Sequence, residues 1–167
     1  GEEVVVNEQT ATITELTANT TYEVYVQALC GTDETSGWSG SAIFATACGA
    51  ISTYPYFEGF EGETFPPTCW STIDADGDGD NWTQIDYNQH SGTYGAMSAS
   101  YINNVGPLTP DNYLISPKFE INADDLELSV WRAAQDPNYP KEKYSILVSK
   151  TGTDVADFTE IFTETLD

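Results

Sequence analysis

Between Asp74 and Asp80 every second residue is an aspartate: Asp74, Asp76, Asp78 and Asp80, spaced by Ala75, Gly77 and Gly79. Calcium takes six to eight oxygen ligands, and alternating carboxylates in a tight turn converge theirs on one point. Acidic residues at relative positions 1, 3 and 5 with glycine at 6 match the first half of an EF-hand-type loop. Glycine tolerates the positive φ that such a turn imposes. Position 7, which lends a backbone carbonyl in that pattern, is Asp80. The bidentate glutamate of position 12 is missing, because Ile85 stands there and Asp86 follows. The loop is therefore no EF-hand, but it reads as a calcium site, with Asp74, Asp76 and Asp78 giving side-chain oxygens and Asp80 its carbonyl. The competing reading is a solvated acidic turn, since Asp-Gly is ordinary turn chemistry.

Signatures of catalysis are thin. His90 is the single histidine, and no Gly-x-Ser-x-Gly elbow surrounds a serine. Ser91 follows His90 directly, and strand neighbours point to opposite faces, so the two do not read as a dyad. Three cysteines and one histidine lack zinc-ligand spacing. No glycine-rich phosphate loop occurs, and 27 carboxylates give chance acidic pairs everywhere. The chain reads as a non-enzyme.

Charge narrows the partners. Five Lys+Arg stand against 27 Asp+Glu, a formal net charge of −22. The five are Lys118, Arg132, Lys141, Lys143 and Lys150, so the first 117 residues contain none. Nucleic acid requires clustered cations against its phosphates, and an anionic membrane surface requires the same; both are excluded as partners. No apolar run approaches the roughly 20 residues of a membrane helix, so no insertion is expected. Such a surface gathers cations instead, divalent ones above all. Gly1-Glu2-Glu3 is neither an initiator Met nor a signal peptide, and Leu166-Asp167 is no natural stop, so the sequence reads as trimmed.

The elements that must hold these residues are strands. Val4-Val5-Val6, Thr10 to Leu16, Tyr22 to Cys30 and Ser41 to Thr46 are short β-rich runs split by Asn, Gly, Ser and Asp. In the third run Tyr22, Val24, Val26 and Ala28 share one face, while Glu23, Tyr25 and Gln27 share the other. Further strands are predicted over Tyr94 to Tyr101, Tyr113 to Phe119, Leu126 to Ala133, Tyr144 to Lys150 and Phe158 to Thr163. Trp82 and Trp131 are expected in the core, with Tyr139 and Tyr144 in or beside a loop, where exposed aromatics can stack on sugars or anchor a protein. A composition break at Cys48-Gly49-Ala50 splits the chain into residues 1–47 and 48–167.

Residues 1–47 resemble the C-terminal half of a fibronectin type III domain. Leu16-Thr17-Ala18-Asn19-Thr20-Thr21-Tyr22-Glu23-Val24 matches the tyrosine-corner turn, Ser36-Gly37-Trp38-Ser39 the start of the last strand and Phe44-Ala45-Thr46 its end. Half a sandwich is marginal alone. From about Tyr54 onward the chain resembles the cleaved-adhesin family, the jelly-roll modules of gingipain-type haemagglutinin regions. The likeness lies in phrases in order: Phe57-Glu58-Gly59-Phe60-Glu61, Phe65-Pro66-Pro67 before Trp70, Ile73-Asp74-Ala75-Asp76-Gly77-Asp78-Gly79-Asp80-Asn81-Trp82 and His90-Ser91-Gly92. Ser98-Ala99-Ser100-Tyr101, Leu108-Thr109-Pro110-Asp111-Asn112-Tyr113-Leu114-Ile115-Ser116-Pro117 and Ala134-Gln135-Asp136 follow.

The fold class expected is all-β: a partial fibronectin III sandwich, then a truncated jelly-roll β-sandwich whose last strands are missing. The resemblance adds Glu61 as a second calcium candidate, because an early acidic residue in such modules helps hold the ion with a distant strand; an exposed edge glutamate is the plain alternative. It implies a non-catalytic adhesion or binding module on a bacterial cell surface or in the extracellular space. The implied partners are host or matrix proteins, haemoglobin-type ligands or cell-surface glycans. An accessory C-terminal region of a secreted gingipain-like cysteine peptidase and a structural surface spacer are the alternatives.

Cys30 ends one strand and Cys48 follows the next, at opposite ends of a hairpin. About seven residues at roughly 3.4 Å each separate them by near 20 Å, whereas a disulfide needs Cα atoms within about 7 Å. Those two should not pair. The bridge expected is Cys48–Cys69, fastening the start of the jelly roll to the strand leading into Trp70, with Cys30 the odd thiol. A disulfide implies an oxidising, extracellular setting.

Overall fold

The computed structural model describes residues 3–31, 34–124 and 126–167, and the chain divides after Ala50 into two compact units. No α-helix occurs among the described residues, and none is long and apolar enough to cross a membrane. In the first unit β1 (Thr21–Val24) and β2 (Ala42–Ala45) pair antiparallel, with Tyr22 opposite Phe44. Those two rings stack at 5.8 Å between centroids. Tyr22 also closes the turn before it: its hydroxyl oxygen accepts from the Thr17 N–H at 2.8 Å. The same turn is tied to the end of β2, where the Thr46 hydroxyl donates to the Thr17 carbonyl at 2.6 Å.

The second unit contains β3 (Ser71–Asp74), β4 (Thr83–Ile85), β5 (Gly95–Met97), β6 (Tyr101–Ile102), β7 (Gly106–Pro107), β8 (Asn112–Ile115), β9 (Lys143–Val148) and β10 (Thr159–Thr165). They pair antiparallel as β3–β8, β4–β5, β6–β7 and β9–β10. A single 3-10 turn, Val155–Asp157, precedes β10. The β9–β10 ladder shifts register between Glu160 and Phe162, so Ile161 is the bulged residue.

Burial is sparse. Ile115 on β8, 8% exposed, is the only core residue among those described. The chain exposes 13128 Å², where a folded monomer of its mass would expose about 8,100 Å². Hairpins pair their backbones here without a second sheet stacked over every apolar face. Much of the local order rests on hydrogen bonds and aromatic contacts: Phe60 meets Trp70 edge-on at 5.3 Å, and Tyr56 meets Phe119 likewise at 5.6 Å.

Several expected strands are absent. Val4 to Val6, Thr10 to Leu16 and Leu126 to Ala133 form none, because a strand requires a neighbour and these runs find no ladder among the described residues. One consequence corrects the assignment of Trp131 to the core. The residue is 71% exposed, in a run where Leu128 and Val130 are exposed as well. Trp82 is half-buried, and its indole N–H donates to the Asn112 carbonyl at 3.1 Å. Of the strands missed in the sequence, β3, β4 and β7, the first two flank the acidic loop.

Candidate metal centre

The acidic loop begins on a fixed strand. Asp74 closes β3 opposite Asn112 of β8, and the Ala75 N–H extends the pairing to the Asp111 carbonyl at 3.0 Å. The chain then turns back on the Asp74 carboxylate. Gly77 N–H donates to its Oδ1 at 2.7 Å and Gly79 N–H to its Oδ2 at 2.9 Å. Both glycines have positive φ, 71° and 90°, a region that side-chain-bearing residues enter only at a cost. The glycines thus let the loop close, and the closing turn brings the aspartates together.

Asp74, Asp76 and Asp78 each offer a carboxylate oxygen, and these oxygens lie within 4.8 Å of one another. Calcium–oxygen distances are about 2.3–2.6 Å, so two ligands of one ion stand at most about 5 Å apart. The spacing fits a single calcium ion. Asp74 is half-buried, and Asp76 and Asp78 are exposed, which leaves the open side for water ligands.

The electrostatics differ among the three. Asp74 is held below the usual carboxylate range, chiefly by the Gly79 amide and then by that of Gly77. Asp76 is pushed above it, first by desolvation, then by the hydrogen bond it shares with Asp74, and then by the charge of Asp78. The Gly77 and Gly79 amides go to Asp74, and Asp76 is left the more crowded by charge.

Asp80 departs from the expected ligand pattern. Its N–H donates to Asp78 Oδ1 at 2.8 Å, and its carbonyl accepts from Asn112 Nδ2 at 2.8 Å. The chain turns inward there to half-bury Trp82, so the carbonyl faces β8. Its carboxylate does not join the cluster of three. Asn112 fastens the loop further by donating to Ser98 Oγ at 3.0 Å.

Glu61 lies in a different setting, also outside the cluster. Gln84 on β4 donates through Nε2 to the carbonyls of Phe60 at 2.6 Å and Gly62 at 2.8 Å, gripping the backbone on both sides of it. The Glu61 carboxylate accepts from Thr93 N–H at 2.9 Å through Oε2 and from Tyr94 N–H at 3.2 Å through Oε1. Gly92 makes the approach possible: its φ is 75°, and a Cβ there would collide with Glu61 Oε1. The sequence signal for this clasp was the Ser91-Gly92 pair, since the amides themselves carry no side-chain mark.

The second unit also carries an exposed aromatic surface, of which the sequence anticipated Tyr139 but not the stack on Trp131. The rings of His90 and Trp131 lie flat on each other at 3.6 Å and 12°. Asn88 Nδ2 donates to the Gln135 carbonyl at 2.9 Å. Arg132 forms a two-pronged bond with Glu164 on β10 at 2.8 and 3.1 Å, and Tyr144 donates to the same carboxylate at 2.6 Å. Tyr139 is 77% exposed. Cys48 and Cys69 are disulfide-bonded, and Cys30 is a free, exposed thiol.

Comparison with known proteins agrees with this layout. The Cleaved Adhesin Domain family matches residues 53–167. Hemagglutinin A of Porphyromonas gingivalis is 42% identical over 104 residues, covering 59% of this chain and 4% of that protein. Protease PrtH of the same organism is 39% identical over 118 residues, covering 66% of the chain and 11% of the relative. The chain thus spans a small part of the curated relatives it matches. Among solved structures, the K3 cleaved adhesin domain of Lys-gingipain from Porphyromonas gingivalis is 40% identical with a TM-score of 0.50, covering 60% of this chain and 62% of that one. The K2 cleaved adhesin domain of Lys-gingipain is 35% identical with a TM-score of 0.52, covering 67% and 66%. The all-β class of the second unit is that of these β-sandwich domains.

Proposed function

The chain belongs to the Cleaved Adhesin Domain family, and from that premise we propose that it is a non-catalytic, calcium-stabilised adhesion module of a secreted or cell-surface bacterial protein. The observation that carries the calcium reading is the convergence of Asp74, Asp76 and Asp78 within 4.8 Å, with Asp76 pushed up by desolvation, by its hydrogen bond with Asp74 and by the charge of Asp78. Asp74, Asp76 and Asp78 hold the ion, which supplies the positive charge this stretch of chain does not. Its role is structural: it fixes the loop between β3 and Trp82, which is tied in turn to β8. With only Ile115 in the core among the described residues, a bound ion is a substantial part of what keeps the unit in one shape.

The partners are host or matrix proteins or cell-surface glycans, met through exposed aromatics such as Trp131 and Tyr139. The matches to Lys-gingipain and Protease PrtH favour a second reading of the parent molecule, a secreted peptidase of which this is an accessory region. Both readings give this chain the same binding role. With no glutamate at the twelfth loop position the affinity is of extracellular grade, on the order of 0.1–1 mM.

Calorimetric titration of the full chain tests the reading, with Asp76→Ala as control. The wild type should take up calcium and melt several degrees higher than in chelator; a ligand at a hundredfold its Kd adds about 2.7 kcal/mol. Asp76→Ala should lose most of both effects. Absence of heat and of any melting shift in the wild type would reduce the acidic run to a turn.

A further inference from the structure

The first unit carries a cleft of another chemistry, outside the residues matched by the family and independent of the reading above. Tyr22 and Val24 face inward from β1, so Glu23 and Tyr25 occupy its opposite side. Gln27, next on that side, donates through Nε2 to the Ser36 carbonyl at 2.7 Å. A face that reads Glu, Tyr, Gln is the polar face of its hairpin, whatever lies against the other. The segment bearing Trp38 is laid alongside: Ser39 N–H donates to the Val26 carbonyl at 2.8 Å, and Val26 N–H to Ser39 Oγ at 2.9 Å. Tyr25 is 49% and Trp38 64% exposed, and together they line a shallow cleft of about 320 Å³ that is largely open to solvent.

Glu23 lies two residues before Tyr25 on the same face of the chain. Its carboxylate accepts from the Tyr25 hydroxyl and the Ser41 hydroxyl, and those bonds hold it below the usual carboxylate range. Both donors are neutral, and no Lys or Arg occurs in the first 117 residues, so its charge has no counter-ion here. The faces of Tyr and Trp rings are negative and attract cations. Arginine suits the pair better than lysine, because its planar group stacks on a ring while its edge bonds a carboxylate.

We propose that the Tyr25–Trp38 cleft binds an arginine side chain of a partner protein, the guanidinium stacked on the rings and paired with Glu23. One side chain on an exposed site binds weakly, at a Kd of about a millimolar or above, which suits one contact among several on an adhesive surface.

The full chain is titrated with the peptide acetyl-Gly-Arg-Gly-amide, read by the Trp38 indole N–H resonance, assigned with Trp38→Phe. The same peptide with citrulline, which keeps the shape and lacks the charge, is the control, and methyl glucoside is a second probe. The arginine peptide should give a saturating shift, with citrulline weaker by about fivefold or more. Glu23→Gln should weaken binding severalfold, while Glu34→Gln, the same change in net charge, should leave it unchanged. Equal affinity for citrulline, saturation by the glucoside, equal loss in Glu34→Gln, or no shift at all would each overturn the proposal.

Discussion

Glu61 and the aspartates of the 74–80 loop are both acidic groups placed beside glycines, and they end in opposite conditions. Three N–H···O contacts from Thr93 and Tyr94 reach the Glu61 carboxylate, so the backbone supplies the positive ends it requires. In the loop Gly77 and Gly79 spend both amides on Asp74, and Asp76 is left crowded. The difference teaches that local donor supply, more than the number of carboxylates, decides how crowded an acidic site is left. Arg132 illustrates a third solution: Glu164 is neutralised by a side chain of the same molecule.

The largest effect that sharpens this comparison is expected at Gly92. Gly92→Ala must hold φ near 75° and collide with Glu61 Oε1, so the clasp opens. The loss is about 2–3 kcal/mol, from backbone strain and forfeited hydrogen bonds. Gly77→Ala is the control: its φ is 71°, but a Cβ there meets nothing within 4 Å, and about 1 kcal/mol is expected. Urea unfolding in chelator measures both, and equal losses would break the contrast.

Asp76→Asn comes next. Removing the crowded charge while keeping the shape should raise the melting temperature slightly in chelator and abolish the rise on adding calcium. A fall in chelator would mean that Asp76 is not the unsatisfied member.

The smallest effect concerns acid. Glu164 is held below its ordinary value of 4.5, first by the Tyr144 hydroxyl and then by Arg132. A depressed carboxylate contributes stability above its unfolded value, and that contribution fades as pH falls through the folded one. The Arg132 link should therefore be intact at neutral pH and release only below 4.5. Carbon-13 titration of the Glu164 carboxyl checks it; a midpoint at or above 4.5 would remove the link.

The acidic loop was legible because its ligands are neighbours in sequence, and alternation with glycine is sufficient to bring them together. The Glu61 clasp was not, because its partners are the backbone amides of residues 93 and 94, a turn away in space and mute in side-chain type. Asp80 escaped for a similar reason: its carbonyl is claimed by Asn112, which arrives only once β8 pairs with β3. Those two strands differ in legibility as well. Tyr113-Leu114-Ile115 is apolar and was expected as a strand, whereas Ser71-Thr72 and Thr83-Gln84 are too short and polar to stand out. The run Leu126 to Ala133 has strand-like composition and alternation, but pairing belongs to two segments, and a periodicity read along one cannot supply the other.

That unpaired run has a consequence for how order is distributed. No backbone amide from 126 to 135 donates to another backbone carbonyl among the described residues, yet the stretch is moored by the His90–Trp131 stack, by Arg132 to Glu164 and by Asn88 to the Gln135 carbonyl. Positional order and amide protection are separate properties, reported on different timescales. Here they come apart: the side chains hold a defined place, while the peptide N–H groups stay open to water and trade their protons for deuterium at once. Exchange mapping would show the stretch as unprotected, and a surface anchored in this way keeps its presented groups fixed by side-chain contacts alone.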